Sequence, residues 1–256
     1  MRSLTLAASL FKRTLSAKYR KSFLGYFWMV APALLVTAGV TLAHRAGIVA
    51  IGETRLPYPI FVLLGTLIWY VFAEAMNVAH QAFQGASSYL TRVYFPRESI
   101  ILAQAMETVI TTAVRLALAL LALAVFHGLS AGAVLGVGAA FAGAALLGLG
   151  LGALLMPLTM LFADFHHVLK LGLSYGLFLT PAMYEPTNGL FALLVKLNPV
   201  WPLMVAARDA AAGLGFSHPL AFGLALAGGA LATVLGLVLA RVAAPILIER
   251  MLLGGR

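Results

Sequence analysis

The sequence predicts an all-α integral membrane protein with six transmembrane helices, an N-terminal amphipathic interfacial helix and a re-entrant outer hairpin before the last span. Three observations predict it. Hydrophobic residues make up 62% of the 256 residues and charged residues only 10%, with a mean hydropathy of +0.99; a soluble globule of this size cannot bury so much apolar surface. The apolar residues fall in runs long enough to cross roughly 30 Å of hydrocarbon. The net charge of +9 gathers at the N-terminus and in the loops, the pattern of membrane orientation rather than of nucleic-acid binding. With no cysteine in the chain, disulfides, thiolate metal sites and cysteine catalysis are excluded.

All 256 residues read as one transmembrane domain: an interfacial helix and elbow (1–26), spans one to five (27–184), the re-entrant hairpin (185–218), span six (219–241) and a cytoplasmic tail (242–256). In residues 3–20, Leu4, Ala7, Ala8, Phe11 and Leu15 share one helical face, opposite Lys12, Arg13 and Arg20. Such a helix is too short and too charged to span and lies in the interface plane. The basic segment before the first apolar run is longer than the n-region of a cleaved signal, so the first span is expected to be retained. Lys18, Arg20 and Lys21 then meet Gly25-Tyr26-Phe27-Trp28, an aromatic belt at the head of the first span, 27–43. Pro32 falls in the first turns, where proline is tolerated.

The second span, 59–84, carries a polar stripe. Tyr70, Glu74, Asn77, Gln81, Gln84 and Ser88 recur at steps of three and four and so share one helix face. Polar groups at membrane depth face protein or water; the stripe either lines a conduit or packs in a polar helix interface, and its length favours the conduit. The next segment, Tyr89 to Ile101, is a short basic loop, placed inside by the charge rule. Its centre, Tyr94-Phe95-Pro96, followed by Arg97 and Glu98, is more than a connector needs. It reads as a docking element through which a partner moves the membrane part. The third span, 101–126, places Arg115 mid-membrane, where Glu74 on the preceding antiparallel helix lies at comparable depth. A structural ion pair is the preferred reading over a direct substrate contact.

His127 to Ala131 is an outside turn. The fourth span, 133–162, is rich in glycine and alanine, with Gly132/Gly136 and Gly148/Gly152 at the spacing that permits close helix approach. Ala163 to His167 reads as a solvated inside turn; its paired histidines lack the carboxylate–histidine spacing of a metal site. The fifth span is 168–184. Leu190 to Val205 is apolar but interrupted at Asn198-Pro199 and Trp201-Pro202, because a residue before proline is pushed out of helical geometry. Neither half is long enough to cross, so the segment is expected to dip in from outside and return. The sixth span is 220–240. With both termini inside, twelve basic residues fall in inner segments and four in outer loops, the sense the charge rule requires.

No phosphate-cradling GxxxxGK[ST], no HExxH, no GxSxG and no acid pair for glycosyl chemistry occurs. The chain shows no catalytic residue, no metal site and no engine of its own. A secondary transporter would carry inverted repeats and paired broken helices; the single broken segment, without an internal repeat, points instead to a partner that supplies energy.

Several segments resemble one family. Ala17 to Trp28, which holds Lys18, Tyr19, Arg20, Gly25, Tyr26 and Trp28, is similar to an "ARYRxSxLGYLW" elbow. Leu64 to Tyr70 is similar to an "LGLLPW" segment, and Arg92 to Glu98 to a "KVYFPRE" loop. Asp164 and His167 match an "RDxxH" turn, in which Ala163 replaces the arginine. Thr180 to Tyr184, Leu197-Asn198-Pro199 and Arg208 match an "SPxxY…LNP" pattern and its following arginine. In this order, over essentially the whole chain, they resemble the permease subunit of type-2 ABC exporters, in the branch that exports O-antigen, capsular polysaccharide or teichoic acid.

The resemblance implies a pore formed by two copies, with two ABC ATPase subunits beneath that bind ATP and magnesium, while this chain binds no cofactor. It implies that Tyr94, Phe95, Pro96, Arg97 and Glu98 couple to the ATPase. Pro181, Asn198, Pro199, Trp201, Pro202 and Arg208 would belong to an outer gate. The cargo would be a polysaccharide on undecaprenyl diphosphate, moved across the bacterial inner membrane from among its lipids. A glycan needs a hydrated path with aromatic platforms. Trp69, Tyr70, Phe72, Tyr175, Phe178 and Tyr184, with Glu74, Asn77 and Gln81, are the candidates for it, although each aromatic also suits an interface belt. Alternatives are a type-2 permease for teichoic acid, a drug or a lipid, and an enzyme acting on lipid-linked sugars. The enzyme would require a carboxylate or histidine cluster at one membrane face, and the sequence shows none.

Overall fold

The computed structural model describes residues 25–48, 54–80, 97–185 and 190–253 together with Ser9 and Phe11; at 26, 97–101, 163, 190–191 and 244–253 it describes the backbone alone. Apart from Ser9 and Phe11, the segment expected to form the interfacial helix, with Lys18, Tyr19 and Arg20, lies outside the described residues. So does the loop 81–96, with Gln81, Tyr94, Phe95 and Pro96.

The described residues contain helices and no strand. A 3₁₀ turn, Gly25–Met29, leads into α1 (Ala31–Arg45). The chain continues through α2 (Tyr58–His80), α3 (Arg97–Phe126), α4 (Ala131–Leu161), α5 (Ala163–Leu179), α6 (Leu190–Leu197), α7 (Trp201–Ala211) and α8 (Pro219–Leu253). Four segments are long and apolar enough to cross a membrane: Tyr58–His80, Leu102–Phe126, Ala131–Leu161 and Pro219–Ala243. At about 1.5 Å per residue, α1 and α5 reach only about 22 and 25 Å. Both limits have a local cause. Pro32 stands in the first turn of α1, and Thr180, before Pro181, is extended at φ −100°, ψ 141°.

The core forms around α2 and α4. α2 buries most of its surface, including Phe61, Leu64, Leu67 and Ile68, and packs chiefly on α4, which packs equally closely on α8 from another side. Glycine makes this possible. A Cβ at Gly148 or Gly152 would collide with the Phe72 or Met76 carbonyl of α2. One at Gly150 would meet the backbone of Ala232 and Thr233 on α8, and one at Gly136 would strike Ala210 of α7. Backbones that approach this closely gain dispersion contacts without side-chain entropy loss. By contrast, α3 and α8 leave Val109, Leu121, Val125, Leu231 and Val234 exposed, as helices do when lipid completes their surroundings. Gly148→Leu or Gly152→Leu is expected to cost about 1–3 kcal/mol each through overpacking. Gly138→Leu, where a Cβ meets nothing within 4 Å, should be near neutral. Thermal unfolding in detergent followed by circular dichroism checks both.

Several boundaries differ from the sequence expectation; the fifth span, expected to reach Tyr184, ends at Leu179, and the last helix continues to Leu253. α5 starts at Ala163, so the expected turn 163–167 is its first turns, and the only break from α4 is Phe162 at φ −128°, ψ 111°. Arg97 and Glu98 are the first residues of α3 rather than part of a loop. The apolar stretch 190–205 is interrupted at Asn198–Val200 but not at Trp201-Pro202, which opens α7; proline is accommodated in a first turn because its missing N–H has no partner there.

Candidate functional site

The polar stripe of α2 faces a groove. Tyr70, Glu74 and Asn77 line an open cavity of about 670 Å³ between α2 and α5, opposite His166, Lys170, Leu173 and Ser174. On α5 the polar residues 166, 170 and 174 recur every four positions, a second stripe. It is obscured in the sequence because it starts in what reads as a turn. The groove is thus a polar cleft between two helices of an otherwise apolar bundle.

Its floor is held by a charge pair. Arg115 of α3, 5% exposed, donates from Nη2 to Oε2 of Glu74. The Nε and Nη1 of Arg115 find no partner among the described residues, so Glu74 is the only carboxylate there that answers this buried charge. At one end of the groove, His80 is fully buried. Its Nδ1 lies 3.0 Å from the Met76 carbonyl and its Nε2 3.4 Å from His166 Nδ1. The carbonyl is an acceptor, so Nδ1 carries the proton and Nε2 accepts from His166. This bond ties α2 to the first turns of α5. The histidine pair and the α5 stripe are site features that sequence periodicity of α2 alone does not reveal.

The aromatic candidates divide. Tyr70 is half-buried on the groove wall. Trp69 and Phe72 are buried, with ring centroids 5.4 Å apart. Trp69 Nε1 donates to the Leu173 carbonyl at 3.2 Å, and its ring occupies the space above Gly176, where a Cβ would lie 2.6 Å from it. Trp69 thus wedges α2 against α5, with Phe72 packed beside it. Tyr175 and Phe178 are exposed on α5, and the Tyr184 hydroxyl donates to the Phe178 carbonyl at 3.2 Å.

At the other end of α2, the helices α6 and α7 and the turn after α5 are bonded together. Asn198 Nδ2 donates to Thr180 Oγ1 at 2.9 Å, and its Oδ1 accepts from Val200 N at 3.0 Å, so both ends of the amide are used. Arg208 of α7, buried, donates from Nη2 to the Ala182 carbonyl at 2.8 Å and the Phe61 carbonyl at 3.3 Å. Its guanidinium lies 3.5 Å from the Phe61 ring centroid, a cation–π contact strengthened by desolvation. The space exists because residue 65 is glycine: a Cβ there would lie 2.6 Å from Nη2 and 2.5 Å from the Ala182 carbonyl. Tyr58 OH adds a bond to the Met183 carbonyl at 3.0 Å. Pro181 is buried beside this clamp and Pro199 is exposed at the α6–α7 corner; Trp201 and Pro202 are buried in the first turn of α7.

Of the elbow candidates, Gly25 opens the 3₁₀ turn at φ +43°, a left-handed geometry that favours glycine, and Trp28 is exposed beside Phe27. Of the coupling candidates, only Arg97 and Glu98 are described, as backbone at the start of α3. No group of three histidine, cysteine or acidic side chains able to hold a metal occurs among the described residues.

The chain is 25% identical over 213 residues to the O-antigen export system permease protein RfbA of Myxococcus xanthus, covering 78% of each chain. It is 22% identical over 201 residues to the protein of the same name from Klebsiella pneumoniae, covering 77% of this chain and 76% of the relative. No family model matches the chain. The two relatives support the resemblance read from the elbow, loop and outer segments.

Proposed function

We propose that this chain, a relative of O-antigen export permeases, is the membrane subunit of an ATP-driven exporter that moves a lipid-linked polysaccharide of O-antigen type outward across the bacterial inner membrane. The observation that carries the reading is the polar α2–α5 groove inside an apolar helical bundle, in a chain similar over about three-quarters of its length to two such permeases. A glycan passing there would exchange hydroxyl hydrogen bonds with Asn77, Ser174 and Lys170 and pack a sugar face on Tyr70. The groove is open on one side, and a second copy of the chain would close it into a channel.

In this reading α1 and α5 are short spans that complete six with the four long ones, the α6–α7 hairpin is re-entrant from the outside, and both termini are cytoplasmic. Two ATPase subunits, binding ATP and magnesium, dock at Tyr94 to Glu98. Arg97 and Glu98 open α3, and Arg115 lies on the same rigid rod, about 27 Å further along. A push at the base of α3 therefore moves the Arg115–Glu74 pair and with it the groove wall. Arg208 holds the outer hairpin against α2, so the same helix bundle links the base to the outer gate.

Deleting the chain in its own host tests the reading. The expected result is loss of surface polysaccharide with accumulation of undecaprenyl-diphosphate-linked polymer inside, reversed by the intact chain but not by a Tyr94→Ala, Phe95→Ala double variant. Undiminished surface polymer after deletion would overturn it.

A further inference from the structure

Beside the outer clamp lies a second cavity, of about 280 Å³, whose wall includes Arg55, Lys196 and Arg208 with the acids Glu185 and Asp209. Its charge is not balanced. Arg208 is only 8% exposed, and its hydrogen bonds go to neutral carbonyls, those of Phe61 and Ala182. Its Nε has no partner, and no carboxylate lies within ion-pair distance of it among the described residues. Asp209 is already engaged, by Arg55 at 3.6 Å and by the Ser217 backbone N–H at 2.8 Å. Glu185 and Lys196 are exposed at the rim. Three cations thus face two carboxylates: Arg55 and Asp209 answer each other, Glu185 acts on Arg208 across the pocket without reaching ion-pair distance, and one positive charge remains in surplus. A buried charge in that position favours any anion that reaches it.

We propose that this pocket binds a phosphate-type oxyanion, with Lys196 closing on it from the rim, Arg208 supplying the buried positive potential and Arg55, held by Asp209, adding to the charge of the wall. A divalent cation is disfavoured by the positive surplus. A neutral sugar gains nothing from that surplus and finds no open aromatic face, since the Trp201 ring is buried and already lies 5.0 Å from the His218 ring. Guanidinium and ammonium groups together on one small pocket match phosphate oxygens through charge-assisted hydrogen bonds. The phosphate has two possible sources, a phospholipid headgroup and a soluble or linker diphosphate. The inference does not rest on the export reading, because it concerns binding by this chain alone.

The full chain, purified in neutral detergent, is titrated with inorganic pyrophosphate. It is also reconstituted in phosphatidylcholine vesicles with or without phosphatidylglycerol, and the lipid retained on re-extraction is measured by native mass spectrometry. Saturable binding of pyrophosphate identifies the diphosphate source; selective retention of phosphatidylglycerol identifies the headgroup. In either arm Lys196→Gln should weaken binding about tenfold, the value of one charge-assisted hydrogen bond, and Glu185→Gln should tighten it. All of these side chains are on the rim, so the variants fold even where Arg208→Gln does not. Binding in neither arm, or equal binding by the wild type and both rim variants, would overturn the proposal.

Discussion

Arg115→Ala is expected to destabilise the chain by about 3–5 kcal/mol, the cost of leaving one member of a buried ion pair without the other. The surviving charge is Glu74, whose side chain is 18% exposed and faces the α2–α5 groove. Without the guanidinium, that carboxylate draws water into the α2–α3 contact. The reciprocal change Glu74→Gln leaves the more deeply buried Arg115 with no carboxylate among the described residues, and should cost at least as much. The pair is separable from its parts by a double variant. Arg115→Ala with Glu74→Gln removes both charges and should recover about 1–2 kcal/mol relative to the sum of the single changes. Thermal unfolding in detergent measures all three. Strict additivity would mean that the two side chains do not depend on each other.

Arg208→Ala is expected to cost about 3 kcal/mol, on the scale of hydrogen bonds from a charged donor, and to free the α6–α7 segment. Removal of the guanidinium leaves the Ala182 and Phe61 carbonyls without their donor and bares the Phe61 ring. Gly65→Val should reproduce the effect without touching Arg208, because the new side chain occupies the guanidinium's place. Both variants should retain the α2–α4 core and lose protection only at the end of the bundle around Arg208. Hydrogen exchange resolved along the chain distinguishes this from global destabilisation: faster exchange in 180–185 and α7, with α4 unchanged, is the expected pattern.

The helical class was legible because composition forces it, and α2's stripe because Tyr70, Glu74 and Asn77 keep helical steps in an apolar run. The pairing of Glu74 with Arg115 was legible from depth alone, since two antiparallel neighbours bring residues equally far from their shared loop to one level. The α6–α7 corner was legible from Asn198-Pro199. Trp201-Pro202 looks equivalent in the sequence, but the same backbone constraint that ends one helix starts the next, and only the observed register tells them apart. The α5 stripe was hidden because Asp164, His166 and His167 read as a solvated turn, whereas a single extended residue, Phe162, suffices to separate α4 from α5. The fate of Trp69 and Phe72 was hidden for a different reason. An aromatic near a span's end suits belt, path and core alike, and what decides between them is a distant glycine, Gly176, that makes room for the indole. Arg208 counts as an outer-loop charge in the sequence; the structure buries it in α7, with acceptors contributed by backbone atoms that no side-chain pattern announces.

The central claim is that the α2–α5 groove is a hydrated path. The chain contains no cysteine, so single cysteines can be placed at Asn77 and Ser174 on the groove and at Val109 on the exposed apolar face of α3, and each protein treated in membranes with a charged, water-soluble thiol reagent. The account predicts rapid modification at 77 and 174, slowed when polymer export is running, and none at 109. Protection of 77 and 174 in every state, or modification at 109 as fast as theirs, would contradict it.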